Sequence, residues 1–371
     1  MASAAARAQD GDSWRVEAVR SRVAYFDQEG WGAQSQANPQ VIDGVERGSE
    51  RLHVWQPTFQ MVLRQNESVQ HQVTIPVDIV TSASADALDA VSSASRVNEA
   101  VEFDIRTAWR PTEDDQLEFR YGAHIEEYLK GGFGGLAYTR ELADDNATLS
   151  LRADMIVDVF DPLSPQGFDS GLTNRNSFHA SLSGSQILSP TTLVLGSYDL
   201  TYQWGRLEQT WNSVPTDRSA VRPAELFPDH RLRHALSGEI AQHIPVSRST
   251  LRGRYRYYRD DFGIRGHTFE IEGYQWIGRR MYLRVGYRLH DQTAPDFFTT
   301  YVPAAATDSI GFRTADSDLA PFRAHEWNIK VALYTSLDEH RGRESISVSY
   351  HRYDRPFLDV GVMSVGYSWE R

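Results

Sequence analysis

The 371-residue sequence has no cysteine, no run of 18 consecutive apolar residues and no excess of positive charge. Without a thiol there is no disulfide framework and no cysteine-based metal or haem site, which suits a protein of the bacterial envelope. Without a long apolar run, a membrane-spanning helix is excluded. The formal net charge of -12 means that nucleic acid is not expected as a partner.

Segments with alternating polarity recur along most of the chain. In 281–290, the apolar residues Met281, Leu283 and Val285 alternate with polar or small ones. Successive side chains of a strand point to opposite faces, so such a segment has one apolar and one polar wall. Sixteen strands are predicted, at 14–25, 52–64, 69–79, 101–109, 117–126, 136–140, 149–157, 178–185, 192–203, 231–243, 251–259, 268–276, 281–290, 327–335, 345–353 and 361–369.

Two of these strands are weakly marked. The alternation slips around Ala18 to Arg20, and the run Gly-Gly-Phe-Gly-Gly at 131–135 indicates a bulge or a loop before the sixth strand. Without these two segments the count is fourteen.

The connections between strands alternate in length. Very short links such as 65–67, 144–146 and 277–279 alternate with long stretches at 26–50, 205–229 and 291–323. This rhythm, together with 17 Tyr and 9 Trp that favour membrane interfaces, predicts an all-β fold, a transmembrane antiparallel β-barrel of about 16 strands in a bacterial outer membrane. An even count puts both termini on the short-turn, periplasmic side and the long loops outside. Loop 291–323 is then expected to constrict or cap the barrel, or to bind a partner.

The two ends of the chain carry targeting features. The Ala6-Arg7-Ala8 sequence is typical of a signal-peptidase site, so 1–8 is interpreted as a residual signal-peptide tail and 9–371 as a single barrel. Near the other end, Gly366, Tyr367 and Trp369 resemble the C-terminal insertion signal of outer-membrane barrels, although Glu370-Arg371 replaces the usual terminal aromatic residue. The barrel-assembly machinery and outer-membrane lipid are the expected partners.

Charged residues of one strand parity are expected to line the lumen. A net positive wall of this kind attracts anions, whereas the alternative interpretation is a charge ladder that only fills and stiffens the barrel. A basic strip is predicted from Arg231, Arg233, Arg252, Arg254, Arg256, Arg284, Arg288 and His290. The lumen acidic residues are predicted to be Asp78, Glu102, Asp104, Glu118, Glu270 and Glu272.

Catalytic and metal motifs are absent from the sequence. There is no His-Glu-x-x-His, no Gly-x-Ser-x-Gly and no phosphate-binding glycine loop, so neither an enzyme nor a cofactor is predicted. His230 and His234 lie about 13 Å apart along a strand, which is too far to share a metal. One enzymatic alternative remains, a hydrolase at the outer rim that uses Asp260, Asp261, His267, His290, Asp291 and Asp296.

Several passages resemble a family of bacterial outer-membrane barrels of unknown function, the domain-of-unknown-function 3570 type. They are 78–84, 184–192, 255–264, 267–268 and 290–298. The resemblance implies a barrel and no established catalytic residue, and the gene neighbours of such proteins include thioredoxin-like and flavin-transfer proteins. A cysteine pair present in some members is missing here.

Three functions follow as hypotheses. The first is a porin-like channel for small solutes with a partly basic lumen. The second is a structural barrel that anchors or sheathes a periplasmic or surface partner, such as a redox conduit or a surface assembly. The rim-located hydrolase is the third.

Overall fold

Sixteen β-strands make up the regular structure of the computed structural model, which describes residues 14–30, 52–83, 99–126, 129–161, 171–208, 213–216, 223–307, 309–338, 342–356 and 358–371. The predicted signal-peptide tail, 1–8, lies outside these residues. The strands are β1 (Arg15–Gly30), β2 (Leu52–Arg64), β3 (Val69–Ala83), β4 (Glu99–Trp109), β5 (Asp115–Ile125), β6 (Leu129–Leu142), β7 (Ala147–Phe160), β8 (Thr173–Ser189), β9 (Thr192–Gly205), β10 (His230–Ile244), β11 (Ser249–Asp260), β12 (Arg265–Ile277), β13 (Met281–Gln292), β14 (Phe322–Asp338), β15 (Gly342–Arg355) and β16 (Leu358–Glu370).

The strands form one closed antiparallel barrel. Each strand pairs with its neighbours in the sequence, and β1 pairs with β16 from Ala18↔Glu370 to Gly30↔Leu358, which closes the cylinder. The predicted barrel of sixteen strands is therefore confirmed, and the count of fourteen is not. No helix among the described residues has the length and apolarity needed to span a membrane.

The links at one end of the barrel are all short, whereas those at the other end, which we call the long-loop end, differ widely in length. The predicted alternation holds only in part, because the links after β5, β11 and β15 at the long-loop end have only three, four and two residues. The links from even-numbered to odd-numbered strands are short, for example two residues between β8 and β9 and four between β10 and β11. The links that follow β9 and β13 are long, and the described part of the second contains a short 3-10 helix, Ala304–Ala306. Both termini lie at the short-turn end.

The two faces of the wall differ in exposure, as the strand β14 illustrates. Trp327, Ile329 and Leu333 are 58%, 44% and 48% exposed, whereas the alternate residues Asn328 and Ala332 are buried at 7% and 3%. Side chains converge on the concave face of a cylinder and diverge on the convex face, so the exposed apolar set faces outward. An apolar outer surface of this kind is what a lipid bilayer requires of a barrel.

The sixth strand differs from its prediction. The glycine run at 131–135 is neither a loop nor a bulge, because β6 pairs without a register shift with β5 and β7 over its whole length. The irregularity predicted for β1 is present, and it lies between Val16 and Ala18. Most strands also extend beyond the predicted segments, at one end or at both.

Two long loops fold together at one end of the barrel. We call the described residues 213–216, 223–229, 293–307 and 309–321 the cap. Val214, Val302 and Ala315 form its apolar core, at 0%, 2% and 1% exposure. Single β-bridges join the loops, including Thr216↔Val302.

The cap rests on inward-facing residues of the wall. Gln292 donates from Nε2 to the carbonyl oxygens of Asp318 and Ala320, at 3.0 and 2.8 Å. Arg355 forms an ion pair with Asp318 and donates to the carbonyl oxygen of Ser317 at 3.2 Å. The cap therefore lies over the inner side of the long-loop end, along β10 to β15.

Candidate functional site

The predicted basic strip lies on the inner face, but most of its charge is paired. Glu239 on β10 accepts from both Arg252 and Arg254 of β11, with Arg254 Nη2 at 2.6 Å. Arg254 also reaches Glu270 of β12, at 3.0 Å between Nη1 and Oε2. The register sets this geometry, because Glu239, Arg254 and Glu270 lie directly opposite one another on three consecutive strands. This part of the strip is a charge ladder.

The ladder continues through β12, β13 and β14. Glu272 is 7% exposed and lies 3.5 Å from Arg284 and 3.8 Å from Arg252. Arg288 pairs with Glu326 of β14 at 3.3 Å. The predicted acids Glu270 and Glu272 therefore neutralise the strip from within.

Some cations of this wall have no such partner. Among the described residues, no carboxylate lies within 4.0 Å of Arg233, Arg256 or Lys330. Arg256 lies over the ring of Tyr258, 5.5 Å from its centroid, and Lys330 stands directly opposite a second cation, Arg284. We call the inner faces of β10 to β14 the cationic wall, because these unpaired charges remain after pairing.

The ends of the predicted strip behave differently from its middle. Arg231 is only 8% exposed, its Nε donates to Asp260 at 2.9 Å, and its guanidinium lies 4.6 Å from the ring centroid of Phe262. Asp260 thus neutralises Arg231 next to Phe262 of the β11–β12 turn, and Arg231 adds no free charge to the lumen. His290 forms hydrogen-bond contacts of 2.8 Å with Thr268 and 3.2 Å with Gln292.

The predicted acidic wall is largely neutralised by arginines on the same face. Asp104 is 6% exposed and lies between Arg120 and Arg106, at 2.9 and 3.3 Å. Glu118 accepts from Arg152 at 2.6 Å. We call the inner faces of β4 to β8 the compensated wall; its members are Glu102, Asp104, Arg106, Glu118, Arg120, His124, Arg152, Asp154, Asp158, Arg175 and His179.

Two further predicted acids are placed by the backbone ladder. Glu102 stands directly opposite His124 in the ladder between β4 and β5. The backbone of Asp78 pairs with Ala100, whereas its side chain lies outside the described part of the molecule.

The glycine run of β6 opens a window between its two neighbouring strands. His124 of β5 and Asp158 of β7 meet across Gly131, with 3.0 Å between Nε2 and Oδ1. A Cβ at Gly131 would overlap both side chains, and one at Gly135 would lie 2.8 Å from Cγ of Asp154. The missing side chains therefore allow charges two strands apart to meet.

Sequence reasoning missed several members of both walls. Glu239 shares strand parity with Arg231 and Arg233, and Lys330 alternates with the apolar residues Ile329 and Val331, so alternation within 231–243 and 327–335 contained the signal. Asp154 and Asp158 needed the β6 window, which was predicted to be irregular. Arg22 lies on the inner face of β1 beside Gly366 of β16, which only the closure of the barrel reveals.

The candidate residues for a rim hydrolase do not converge. Asp260 is bound to Arg231 on the inner face, whereas His267 lies on the outer face, where it contacts the Tyr255 hydroxyl at 2.8 Å. Asp291 pairs with Arg323 at 3.0 Å, also on the outer face. No group of three or more His, Asp or Glu in the described part of the chain is arranged to hold a metal ion.

The residues of the C-terminal signal lie in the closing strand. Gly366 stands between Ser347 of β15 and Arg22 of β1. Tyr367 is 40% exposed on the outer face, and Trp369 shares that face. Their role in insertion stays a prediction.

Closed sixteen-strand topology, an apolar exterior and a charged interior define a bacterial outer-membrane β-barrel protein. The chain belongs to the family described as "Protein of unknown function (DUF3570)", whose model matches residues 158–356. No curated protein matches the sequence.

Solved structures share the fold at low sequence identity. A bacterial polysaccharide outer membrane secretin aligns with a TM-score of 0.50 at 10% identity, covering 95% of this chain and 98% of that one. A FadL homologue from Pseudomonas aeruginosa has a TM-score of 0.47 at 9% identity, over 96% and 90% of the chains. A BenF-like porin from Pseudomonas fluorescens Pf-5 has a TM-score of 0.47 at 7% identity, over 96% and 99%.

Proposed function

We propose that this barrel is a channel for small solutes that favours anions. The observation that carries the proposal is the polar, charged inner face of a sixteen-strand barrel, since barrels of this size enclose an aqueous lumen unless something fills it. The cap covers the long-loop end along β10 to β15, so the route for solutes passes beside it rather than through its apolar core.

The preference for anions rests on the charges that stay unpaired. A cation already bound to a carboxylate contributes little to the field in the lumen, whereas Arg233, Arg256 and Lys330 have no carboxylate within 4.0 Å among the described residues. A wall of one sign within a low-dielectric tube concentrates counter-ions. Arg22 adds a fourth cation on the inner face of β1.

Conductance in a planar lipid bilayer tests the channel directly. Purified barrel is expected to give discrete current steps, and under a potassium chloride gradient the reversal potential is expected to indicate chloride preference. The combined Arg233→Gln, Arg256→Gln and Lys330→Gln variant should move that potential toward zero selectivity.

Two controls accompany this experiment. The Arg279→Gln and Arg280→Gln variant removes two exposed cations from the β12–β13 turn and should keep the wild-type selectivity. Heat-modifiable migration on a detergent gel reports whether each variant is folded. A folded wild-type barrel that passes no current would overturn the channel and favour a structural barrel that holds a partner.

A further inference from the structure

A tyrosine–histidine contact recurs on the outer face of three hairpins, near their long-loop ends. In each, the tyrosine lies on an odd-numbered strand and the histidine on the next strand, one diagonal step away in the ladder. The hydroxyl-to-Nδ1 distances are 2.7 Å for Tyr198–His234, 2.8 Å for Tyr255–His267 and 2.7 Å for Tyr287–His325.

This contact orients the imidazole toward its surroundings. A phenol is an O–H donor, and a neutral imidazole that accepts at Nδ1 carries its proton on Nε2. At His267, which is exposed, that Nε2–H points away from Tyr255 and is available to an acceptor outside the barrel.

The level of these histidines follows from the order of residues along the outer face. On β12, Arg265 is followed by His267, then by Phe269 and Ile271, which are 53% and 56% exposed. From the headgroups of a membrane to its hydrocarbon, the expected order is charged groups, then imidazole, then aromatic and aliphatic groups. The histidines therefore lie where lipid headgroups lie.

One of the three hairpins also carries unpaired charge at this level. Arg259 of β11 and Arg265 of β12 stand directly opposite each other, both exposed. Like charges directly opposite are unfavourable, and no carboxylate lies within 4.0 Å of either among the described residues. On the β13–β14 hairpin, by contrast, Arg323 is neutralised by Asp291 at 3.0 Å.

We propose that the outer surface of β11 and β12 binds the phosphate of an anionic lipid headgroup through Arg259, Arg265 and the Nε2–H of His267. Two guanidinium groups supply charge-assisted hydrogen bonds, and the imidazole adds a donor fixed by Tyr255. Bound phosphate relieves the repulsion between the two arginines. The other two tyrosine–histidine pairs present the same imidazole donor, but among the described residues no pair of free arginines stands beside them.

Lipid retention in detergent, measured by native mass spectrometry, tests this site. The probe is phosphatidylglycerol, and the comparison lipid is a galactosyl diacylglycerol with the same acyl chains and no phosphate. Wild-type barrel is expected to retain phosphatidylglycerol in preference to the galactolipid. The combined Arg259→Gln, Arg265→Gln and His267→Phe variant should bind phosphatidylglycerol at least about tenfold more weakly, because the loss of even one charge-assisted hydrogen bond has about this effect.

The β13–β14 hairpin provides the matched control. The His325→Phe variant removes an imidazole held by a tyrosine in the same way and leaves the Arg323–Asp291 ion pair intact, so it should retain phosphatidylglycerol like the wild type. An equal loss in this control would contradict a specific site. Equal retention of the two lipids by wild-type barrel would overturn the proposal even if the β11–β12 variant failed to fold.

Discussion

The two walls of the lumen reach their charge balance in different ways. In the compensated wall, each described carboxylate among Asp104, Glu118 and Asp158 has a cationic neighbour, and small residues on β6 let charges meet two strands apart. In the cationic wall, ion pairs join adjacent strands, and Arg256 and Lys330 remain without a carboxylate partner among the described residues. The paired charges of the lumen thus stabilise the barrel, whereas the unpaired charges remain available to attract solutes.

The largest expected effect comes from breaking the compensated wall at a buried acid. Asp104 is 6% exposed, and Asp104→Ala removes the only carboxylate within 4.0 Å of Arg106 among the described residues and leaves Arg120 with Asp154 alone, 4.0 Å away. Removing one partner of a buried ion pair should destabilise the barrel by about 3 kcal/mol. Urea unfolding from lipid vesicles measures this change, and a loss below that of a surface variant such as Glu113→Ala would mean that the pair is not structural.

The second effect concerns the β6 window. In Gly135→Ala the new Cβ meets the Asp154 carboxylate, and overpacking of this kind costs about 2 kcal/mol. Gly134→Ala faces outward, with its nearest contact 3.7 Å away at the carbonyl oxygen of Arg120, and should change little. The temperature at which each variant loses its compact form on a detergent gel measures this difference in stability. Equal temperatures would contradict the idea that the missing side chain at Gly135 makes room for Asp154.

A third change makes the cationic wall more cationic. Glu239→Gln removes the carboxylate shared by Arg252 and Arg254, so the net charge of this wall rises by one. Stability should fall by about 1 kcal/mol, because Arg254 keeps Glu270 and Arg252 stays near Glu272. Chloride preference in bilayer recordings should rise. Unchanged selectivity would indicate that solutes do not pass this part of the wall.

The smallest effect lies in the cap, where carboxylates outnumber their cations. Burial, and then the neighbouring Asp318 and Glu225, raise the pKa of Asp316 well above its ordinary value. A carboxyl with a raised pKa in the folded state favours folding while protonated, so cap stability falls as the pH rises from the ordinary value through the raised one. Asp316→Asn should therefore stabilise the cap at pH 7 by less than about 1 kcal/mol, which slows its proteolytic cleavage. At pH 3 the substitution should have little effect.

Local alternation predicted the strands and the polarity of their faces, but not which charges are paired. Parity within a single strand places Arg252 and Glu272 on the inner face correctly. Which charges pair depends on the register between strands, and the sequence of a single strand does not determine that register. The glycine run at 131–135 was wrongly expected to interrupt the wall, since glycine is usually unfavourable in strands. Here the carboxylates of β7 need the space that glycine leaves.

The seam between β1 and β16 has a consequence for how the barrel is made. Arg20 and Glu370 are bonded across it, at 2.7 Å between Nη2 and Oε1, although 350 positions separate them in the chain. Every other strand pair joins neighbours in sequence, so only this seam needs both the first and the last strand of the barrel. Until it forms, both edges carry unpaired backbone groups that hydrocarbon does not solvate. The fifteen local pairings can form gradually, whereas stable residence in the bilayer begins only when the first strand meets the last.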